Sequence, residues 1–198
     1  MKKSSAVGAL AMIASVVFAM SEVFGAAASL AVVGVGIAIG WRLVPGFWRA
    51  VTYGALGGAL AGLVVLGPGL RVAMRVVAIF DPIRRPEFTV DGTMFILIGI
   101  GGIMGGLFGI MGATLRNGFQ MKSPIAGLLT AAAVMVVIFA ADDLRSEIMT
   151  LGAGPWLNIP MFTAVAVAYG LASMTVVARL EARREPKKAT SELEEVPA

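Results

Sequence analysis

Arg71 and Arg75 are the side chains of this sequence best suited to bind an anion. They follow Gly67-Pro68-Gly69 and, four residues apart, share one face of a helix. Two guanidinium groups on one face can donate hydrogen bonds to the same phosphate or carboxylate. Glu22 interrupts a long apolar stretch, and we group it with these arginines as a candidate outer polar site. Glu22 could instead couple ions or protons, or simply occupy a turn beside an arginine.

A second polar cluster consists of Asp142, Asp143 and Glu147. Asp143 and Glu147 are four residues apart, so a helix would bring both carboxylates to one face, where they could chelate a hard cation such as Mg²⁺. The chain has only one such cluster, which favours an outer acidic cap that pairs with nearby arginines. We therefore predict no metal site.

The residue types that are absent from the chain exclude several kinds of catalytic and metal site. The chain has no cysteine and no histidine. It therefore lacks a thiolate nucleophile, an imidazole base and any metal site built on either. Glycine-rich phosphate loops, nucleophile elbows and zinc-protease motifs are also missing from the sequence. We expect neither an enzyme nor a bound cofactor.

The composition is that of an integral membrane protein. Of the 198 residues, 58% are hydrophobic, 14% are charged and 25 are glycine. An ordinary globular domain is about 45–50% apolar with glycine included, and about 25% charged. The mean hydropathy of +0.89 agrees with this class. We interpret the net charge of +4 as a sign of membrane topology and expect no nucleic-acid partner.

The length of each apolar run predicts how many helices cross the bilayer. A helix needs about 20 apolar residues to cross the hydrocarbon core. This predicts an all-α membrane protein, a compact bundle of about six transmembrane helices forming a single domain over residues 1–180. The predicted spans are residues 6–21, 24–41, 51–66, 94–113, 125–141 and 161–178. Residues 181–198 are polar and of mixed charge, which predicts a disordered cytoplasmic tail.

The N-terminal run leaves a five-helix alternative open. A single helix from Ala6 to Trp41 would be about 54 Å long, so we divide the run at Glu22. One long helix would reduce the count to five. Lys2-Lys3 followed by an apolar stretch also fits a signal peptide, and cleavage would likewise leave five helices.

Charge and tryptophan placement predict the orientation. Six helices with the N-terminus inside put eleven of the sixteen Lys and Arg residues on the inner side, whereas five helices put nine there. We expect a multi-pass protein of the inner or plasma membrane with both termini cytoplasmic. Trp41, Trp48 and Trp156 are candidate interfacial anchors, and the basic stretch Arg179–Lys188 would contact anionic lipid headgroups.

Glycines at four-residue steps predict where helices pack. Small residues let helices approach closely in lipid, where hydrophobic burial does not drive association. The main stripes are Gly54, Gly58 and Gly62 in the third helix and Gly101, Gly105 and Gly109 in the fourth. A second, overlapping stripe in the fourth helix contains Gly102 and Gly106. Contact within one chain is the favoured interpretation, with a homo-oligomer or a substrate passage as alternatives.

The Gly67-Pro68-Gly69 sequence predicts the end of the third helix. Proline lacks an N–H donor, and the flanking glycines permit a sharp turn. We expect a short helix near residues 69–80 that lies in the outer interface, with its arginines reaching lipid phosphates. The alternative is a lid or re-entrant half-helix that presents both arginines to an anionic ligand.

Two hypotheses for function follow from these features. The first is small-molecule or ion transport, or a channel, with a path lined by the glycine stripes and an outer site formed by Arg71, Arg75 and Glu22. The second is a non-transporting membrane scaffold or a subunit of a larger complex. The number of helices, the glycine stripes and the Gly67-Pro68-Gly69 break motivate the first hypothesis, and the scarcity of charge at membrane depth motivates the second.

Overall fold

The described part of the chain is a helical bundle. The structure, a computed structural model, describes residue 42 and residues 46–80, 89–140, 142–150 and 154–183. Of these residues 94% are helical and none is in a strand. The helices are α1 (Phe47–Phe80), α2 (Val90–Phe119), α3 (Ser123–Ala140), α4 (Asp142–Thr150) and α5 (Pro155–Ala182). The predicted spans 6–21 and 24–41 lie outside the described residues.

The all-helical class is confirmed over the described part of the chain, and its long apolar helices are consistent with a membrane protein, whereas the count of six spans is not confirmed. Three helices, α1, α2 and α5, are long and apolar enough to cross a membrane. We predicted four spans here, and the remaining one corresponds to a shorter apolar helix, Ser123–Phe139. The three long helices also extend beyond the predicted spans at both ends.

Four of the helices surround a common interior. α1 contacts α2 and α5, and α3 contacts the same two helices from the opposite side. α4 is short and packs on α3 and α5. The largest fully buried side chains are Tyr169, Met111, Met174 and Val177. We call the two ends of the bundle the Arg71 end, where α1 stops and α2 and α5 begin, and the Arg116 end, where α1 starts and α2 and α5 stop.

The predicted helix end at Gly67-Pro68-Gly69 is wrong. α1 continues through this sequence to Phe80, and the preceding residues, Gly62–Leu66, form a π-helical turn in which the Gly67 N–H donates to the Gly62 carbonyl. Proline inside a helix loses one hydrogen bond, and its ring crowds the carbonyl four residues back. The wider π turn accommodates the ring, so the helix continues. The predicted interfacial helix near residues 69–80 is the last part of α1.

A second π-helical segment, Phe95–Met104, is part of α2. It lies against the π-helical turn of α1. Its position explains the regular pairing of the two antiparallel helices. Residues that face one another are Gly54 and Gly109, Gly58 and Gly105, Gly62 and Gly101, Gly67 and Leu97, and Arg71 and Thr93. The two numbers of each pair add up to 163 or 164 on both sides of the π segments. The widened turns thus compensate each other and preserve the pairing.

The C-terminal end of α2 also differs from the prediction. The predicted span ended at residue 113. Instead α2 continues to Phe119 with Gly118 buried, and Gln120 takes φ 52° and ψ 41°. The Met121 N–H then donates to the Arg116 carbonyl over 3.0 Å, which satisfies one of the last carbonyls of the helix.

Candidate functional site

Arg71 joins α1 to the first turn of α2. Its Nη2 donates to Oγ1 of Thr93 over 2.6 Å, and the Thr93 hydroxyl donates to the Thr89 carbonyl over 2.9 Å. Thr89 is the N-cap of α2, and its Oγ1 accepts from the Gly92 N–H at 3.1 Å. The half-buried Arg71 side chain therefore takes part in a polar connection between two helices.

The other members of the candidate outer polar site are in different surroundings. Arg75 lies one turn farther along α1 and is exposed. Glu22 lies outside the described residues. The structure thus places both arginines on α1 as predicted from their spacing, with only Arg71 half-buried beside α2.

The candidate acidic cap lies on α4. The backbone is helical from Asp142 to Thr150, which places Asp143 and Glu147 one turn apart, while the side chains of the three acids are outside the described part. α4 is attached to α5 by a contact that we did not predict. The buried Asn158 donates from Nδ2 to the Ile148 carbonyl over 2.8 Å. A lone asparagine in an apolar helix was the available signal.

The two main glycine stripes contact each other inside one chain. A Cβ added at Gly54 would lie 2.6 Å from Cα of Ile110, and one added at Gly58 would lie 2.6 Å from Cα of Gly109. A Cβ at Gly101 would lie 2.7 Å from the Gly62 carbonyl oxygen. Such separations leave no room for a side chain. The two backbones therefore touch, with Cα hydrogens near the facing carbonyl oxygens.

The overlapping stripe in α2 does not make such a contact. A Cβ at Gly102 would lie 3.5 Å from Cδ2 of Leu63, and one at Gly106 would lie 3.5 Å from the Ala55 carbonyl oxygen. These are ordinary van der Waals distances. Another close crossing, which we did not predict, joins α3 to α5, where a Cβ at Gly127 would lie 2.8 Å from the Gly170 carbonyl oxygen.

Four hydroxyl groups in the bundle interior bond to the backbone. The Tyr169 hydroxyl donates to the Gly105 carbonyl across the bundle at 2.5 Å. Thr114, Thr130 and Ser173 donate to carbonyls three or four residues earlier in their own helices, at 2.8 to 2.9 Å. All four side chains are fully buried. Polar groups that are buried away from water need such partners. These hydrogen bonds therefore stabilise the packed interior.

An ion pair closes the Arg116 end of the bundle. Arg116 in the last turn of α2 donates from Nη2 to Oε2 of Glu181, which we had assigned to the predicted tail and which lies in the last turn of α5. The side chains are 14% and 24% exposed. The pair therefore joins helices that are far apart in the sequence.

We expect Glu181→Gln to lower the free energy of unfolding by about 1–2 kcal/mol, because the half-buried Arg116 loses its counter-charge. Arg179→Gln serves as the control, since this arginine is exposed on α5 two residues before Glu181. Unfolding in mixed detergent micelles measures both, and a double-mutant cycle with Arg116→Gln isolates the coupling. Equal losses for Glu181→Gln and Arg179→Gln would contradict this expectation.

Two of the candidate anchor tryptophans lie at opposite ends of the bundle. Trp48 is exposed in the first turn of α1, with its ring edge-to-face against Phe47 at 5.5 Å. Trp156 is 91% exposed in the first turn of α5. Trp41 lies outside the described residues. Exposed indole rings at both ends of apolar helices suit the two interfaces of a bilayer.

No protein-family model, curated protein or solved structure matches this chain. What the protein does must therefore follow from the geometry of its own residues.

Proposed function

We propose that this chain is a non-transporting membrane scaffold or a subunit of a larger membrane complex. The observation that carries the proposal is the backbone contact between α1 and α2 at Gly54, Gly58 and Gly62. These are the faces that would line a path between the two helices. Because a single added carbon atom does not fit there, neither a hydrated ion nor a small molecule has room along the stripes.

The interior hydroxyls and the outer face of the bundle support the same proposal. The hydroxyl of Tyr169 is bonded to the Gly105 carbonyl, so it holds α5 against α2. Large apolar side chains instead face outward, among them Leu56, Leu60 and Val64 on α1. Such surfaces suit contact with lipid or with other membrane helices.

Transport is the second candidate function, and one observation favours it. The π-helical segments of α1 and α2 face each other beside Pro68. Segments of this kind are frequent at functional sites and at bends in helices. A transport cycle would require α1 and α2 to separate at their glycine faces.

A disulfide across these helices distinguishes the two functions. A Cβ added at Gly106 lies 3.8 Å from Cβ of Ala59, which is close to the mean separation in a disulfide. We expect Ala59→Cys/Gly106→Cys to oxidise readily in this chain, which has no native cysteine. In proteoliposomes, we expect no flux of inorganic ions or small anions in either the reduced or the oxidised form.

Gly106→Cys alone controls for the substitution itself. Flux through the reduced double variant that oxidation abolishes would contradict the scaffold proposal and favour transport. Flux that persists after oxidation would also contradict it, and would place the path away from the α1–α2 contact.

We further propose six spans in one domain, with both termini cytoplasmic in the inner or plasma membrane. The charges support this orientation, because exposed Arg49, Lys122, Arg179 and Arg183 lie together at the Arg116 end. Single cysteines at Ser4 and Ser191 should react with an impermeant maleimide only from the cytoplasm. A cysteine at Ser146 should react only from outside. External labelling at Ser4 would contradict the six-span topology.

A further inference from the structure

Four exposed cations lie at the Arg116 end of the bundle. We call them the basic end face, which comprises Arg49, Lys122, Arg179 and Arg183. Among the described residues, this end has one acid, Glu181, and its carboxylate is paired with Arg116. The four positive charges of the face therefore have no counter-charge within the described part of the chain.

Packing between distant parts of the chain brings these cations to one surface. Phe119 packs against the buried Phe47, which places the link between α2 and α3 beside the start of α1. The ion pair between Arg116 and Glu181 places the end of α5 beside the end of α2. Cations from the beginning and from the end of the described chain thus share the basic end face.

The neighbouring side chains place this face at the edge of the hydrocarbon core. The exposed Leu56 lies two helical turns beyond Arg49 on α1, and the exposed Ile125 lies three residues beyond Lys122 on α3. The indole ring of Trp48, next to Arg49, is exposed as well. Exposed apolar side chains that adjoin an indole and several cations are typical of the level of the lipid headgroups.

We propose that the basic end face binds the headgroups of anionic phospholipids in the leaflet that it faces. The sequence predicts such contacts at Arg179–Lys188, and the fold adds Arg49 and Lys122 to the same surface. Three of the four cations are arginines, and a guanidinium group can donate two parallel hydrogen bonds to one phosphate. Such binding requires neither the scaffold role nor a particular side of the membrane.

The Arg71 end of the bundle does not complement anionic headgroups in this way. Within the described part of the chain, three arginines at that end accompany four acids. The opposite charges offset one another there, so the described positive excess is confined to the Arg116 end. We therefore expect a preference for anionic lipid at one end of the bundle only.

The tryptophans provide a reporter at each end, since the chain has three of them. Trp41→Phe/Trp156→Phe retains Trp48 beside the basic end face, and Trp41→Phe/Trp48→Phe retains Trp156 at the Arg71 end. Each full-length variant is reconstituted into phosphatidylcholine vesicles that contain increasing fractions of brominated phosphatidylglycerol or, in a parallel series, of brominated phosphatidylcholine. Bromine quenches a nearby indole, so the two series give the relative binding constant of the anionic lipid at each end.

We expect this relative binding constant to be at least about threefold at Trp48 and close to one at Trp156, because each cation near an anionic lipid surface contributes severalfold to binding. Sodium chloride at about 1 M should bring the constant at Trp48 close to one, since salt screens exposed charges. Equal quenching of Trp48 by the two lipids would overturn the proposal and would indicate that acids after residue 183 neutralise the face. An equal preference at both ends would also overturn it.

Single charge substitutions assign the preference to the basic end face. Arg49→Gln and Lys122→Gln should each lower the relative binding constant at Trp48 by at least about twofold. Arg75→Gln is the matched control, because it removes an exposed cation at the other end and should leave the constant unchanged. Equal effects of the three substitutions would overturn the proposal. The salt series needs no charge substitution, so it keeps the test decisive if a charge variant does not fold.

Discussion

Gly58→Ala and Gly109→Ala should each lower the free energy of unfolding by about 2–3 kcal/mol, near the upper end of the usual cost of overpacking. Each added methyl group would meet facing backbone, which cannot rotate away as a side chain could. At Gly58 the new carbon would lie 2.6 Å from Cα of Gly109 and 3.0 Å from its nitrogen. The helices would have to separate, and the contacts along both stripes would weaken together.

The matched controls are Gly102→Ala and Gly106→Ala in the overlapping stripe of α2. Their added methyl groups would lie at ordinary contact distances. Alanine favours a helix over glycine by about 1 kcal/mol, so these variants should be neutral or more stable than the wild type. Reversible unfolding in mixed micelles gives all four values. If the two stripes respond alike, the close contact between the backbones is not what stabilises the bundle.

Tyr169→Ala should lower the free energy of unfolding by about 3–5 kcal/mol, as the loss of a large buried aromatic side chain usually does. Tyr169 is fully buried where α5 faces α2. Tyr169→Phe keeps the ring and removes only the hydroxyl that donates to Gly105, and should cost about 0.5–1.5 kcal/mol. The difference between the two variants separates packing from hydrogen bonding.

Leu171→Ala on the same helix is the control, because Leu171 is 37% exposed toward the surroundings of the bundle. It should cost less than about 1 kcal/mol, since its side chain exchanges protein contacts for lipid contacts. The same mixed-micelle unfolding measures all three variants. If Tyr169→Phe lowered the free energy of unfolding as much as Tyr169→Ala, the hydroxyl, and not the ring, would provide most of the stabilisation by Tyr169.

The spacing of small residues carried most of the information about packing. Gly54, Gly58 and Gly62 recur every four residues, which requires a single smooth face on a helix. Smooth faces in lipid require a partner at close range, and a matching set occurs in α2. Sequence alone could not distinguish the Gly101 stripe from the Gly102 stripe, because both follow the same step and only the orientation of α2 separates them.

The effect of Pro68 could not be predicted from its residue type. Proline weakens a helix locally, but whether the helix stops depends on the turn before it and on the neighbours that hold both halves. Here the segment Gly62–Leu66 widens into a π turn. The last part of α1 is held by the hydrogen bond from Arg71 to Thr93 of α2 and by the contact of Gly69 with Val165 of α5. These neighbours are distant in the sequence.

Glu181 and Tyr169 were missed for a related reason. Glu181 is the first acid after the last apolar run, so composition assigned it to the tail. Its partner Arg116 lies 65 residues earlier and becomes adjacent only when α2 and α5 end at the same side of the bundle. Tyr169 and Ser173 are four residues apart in an apolar helix, which was the available signal for an inward-facing polar pair.

The contact between the glycine faces also bears on the order in which the protein assembles. Glycine has no side chain to immobilise, so joining α1 to α2 requires no ordering of rotamers at these faces. Only nine residues separate the end of α1 from the start of α2, whereas α5 meets α1 through residues more than 90 positions away. Local contacts form fastest during folding. We therefore expect the α1–α2 hairpin to form before its contacts with α5.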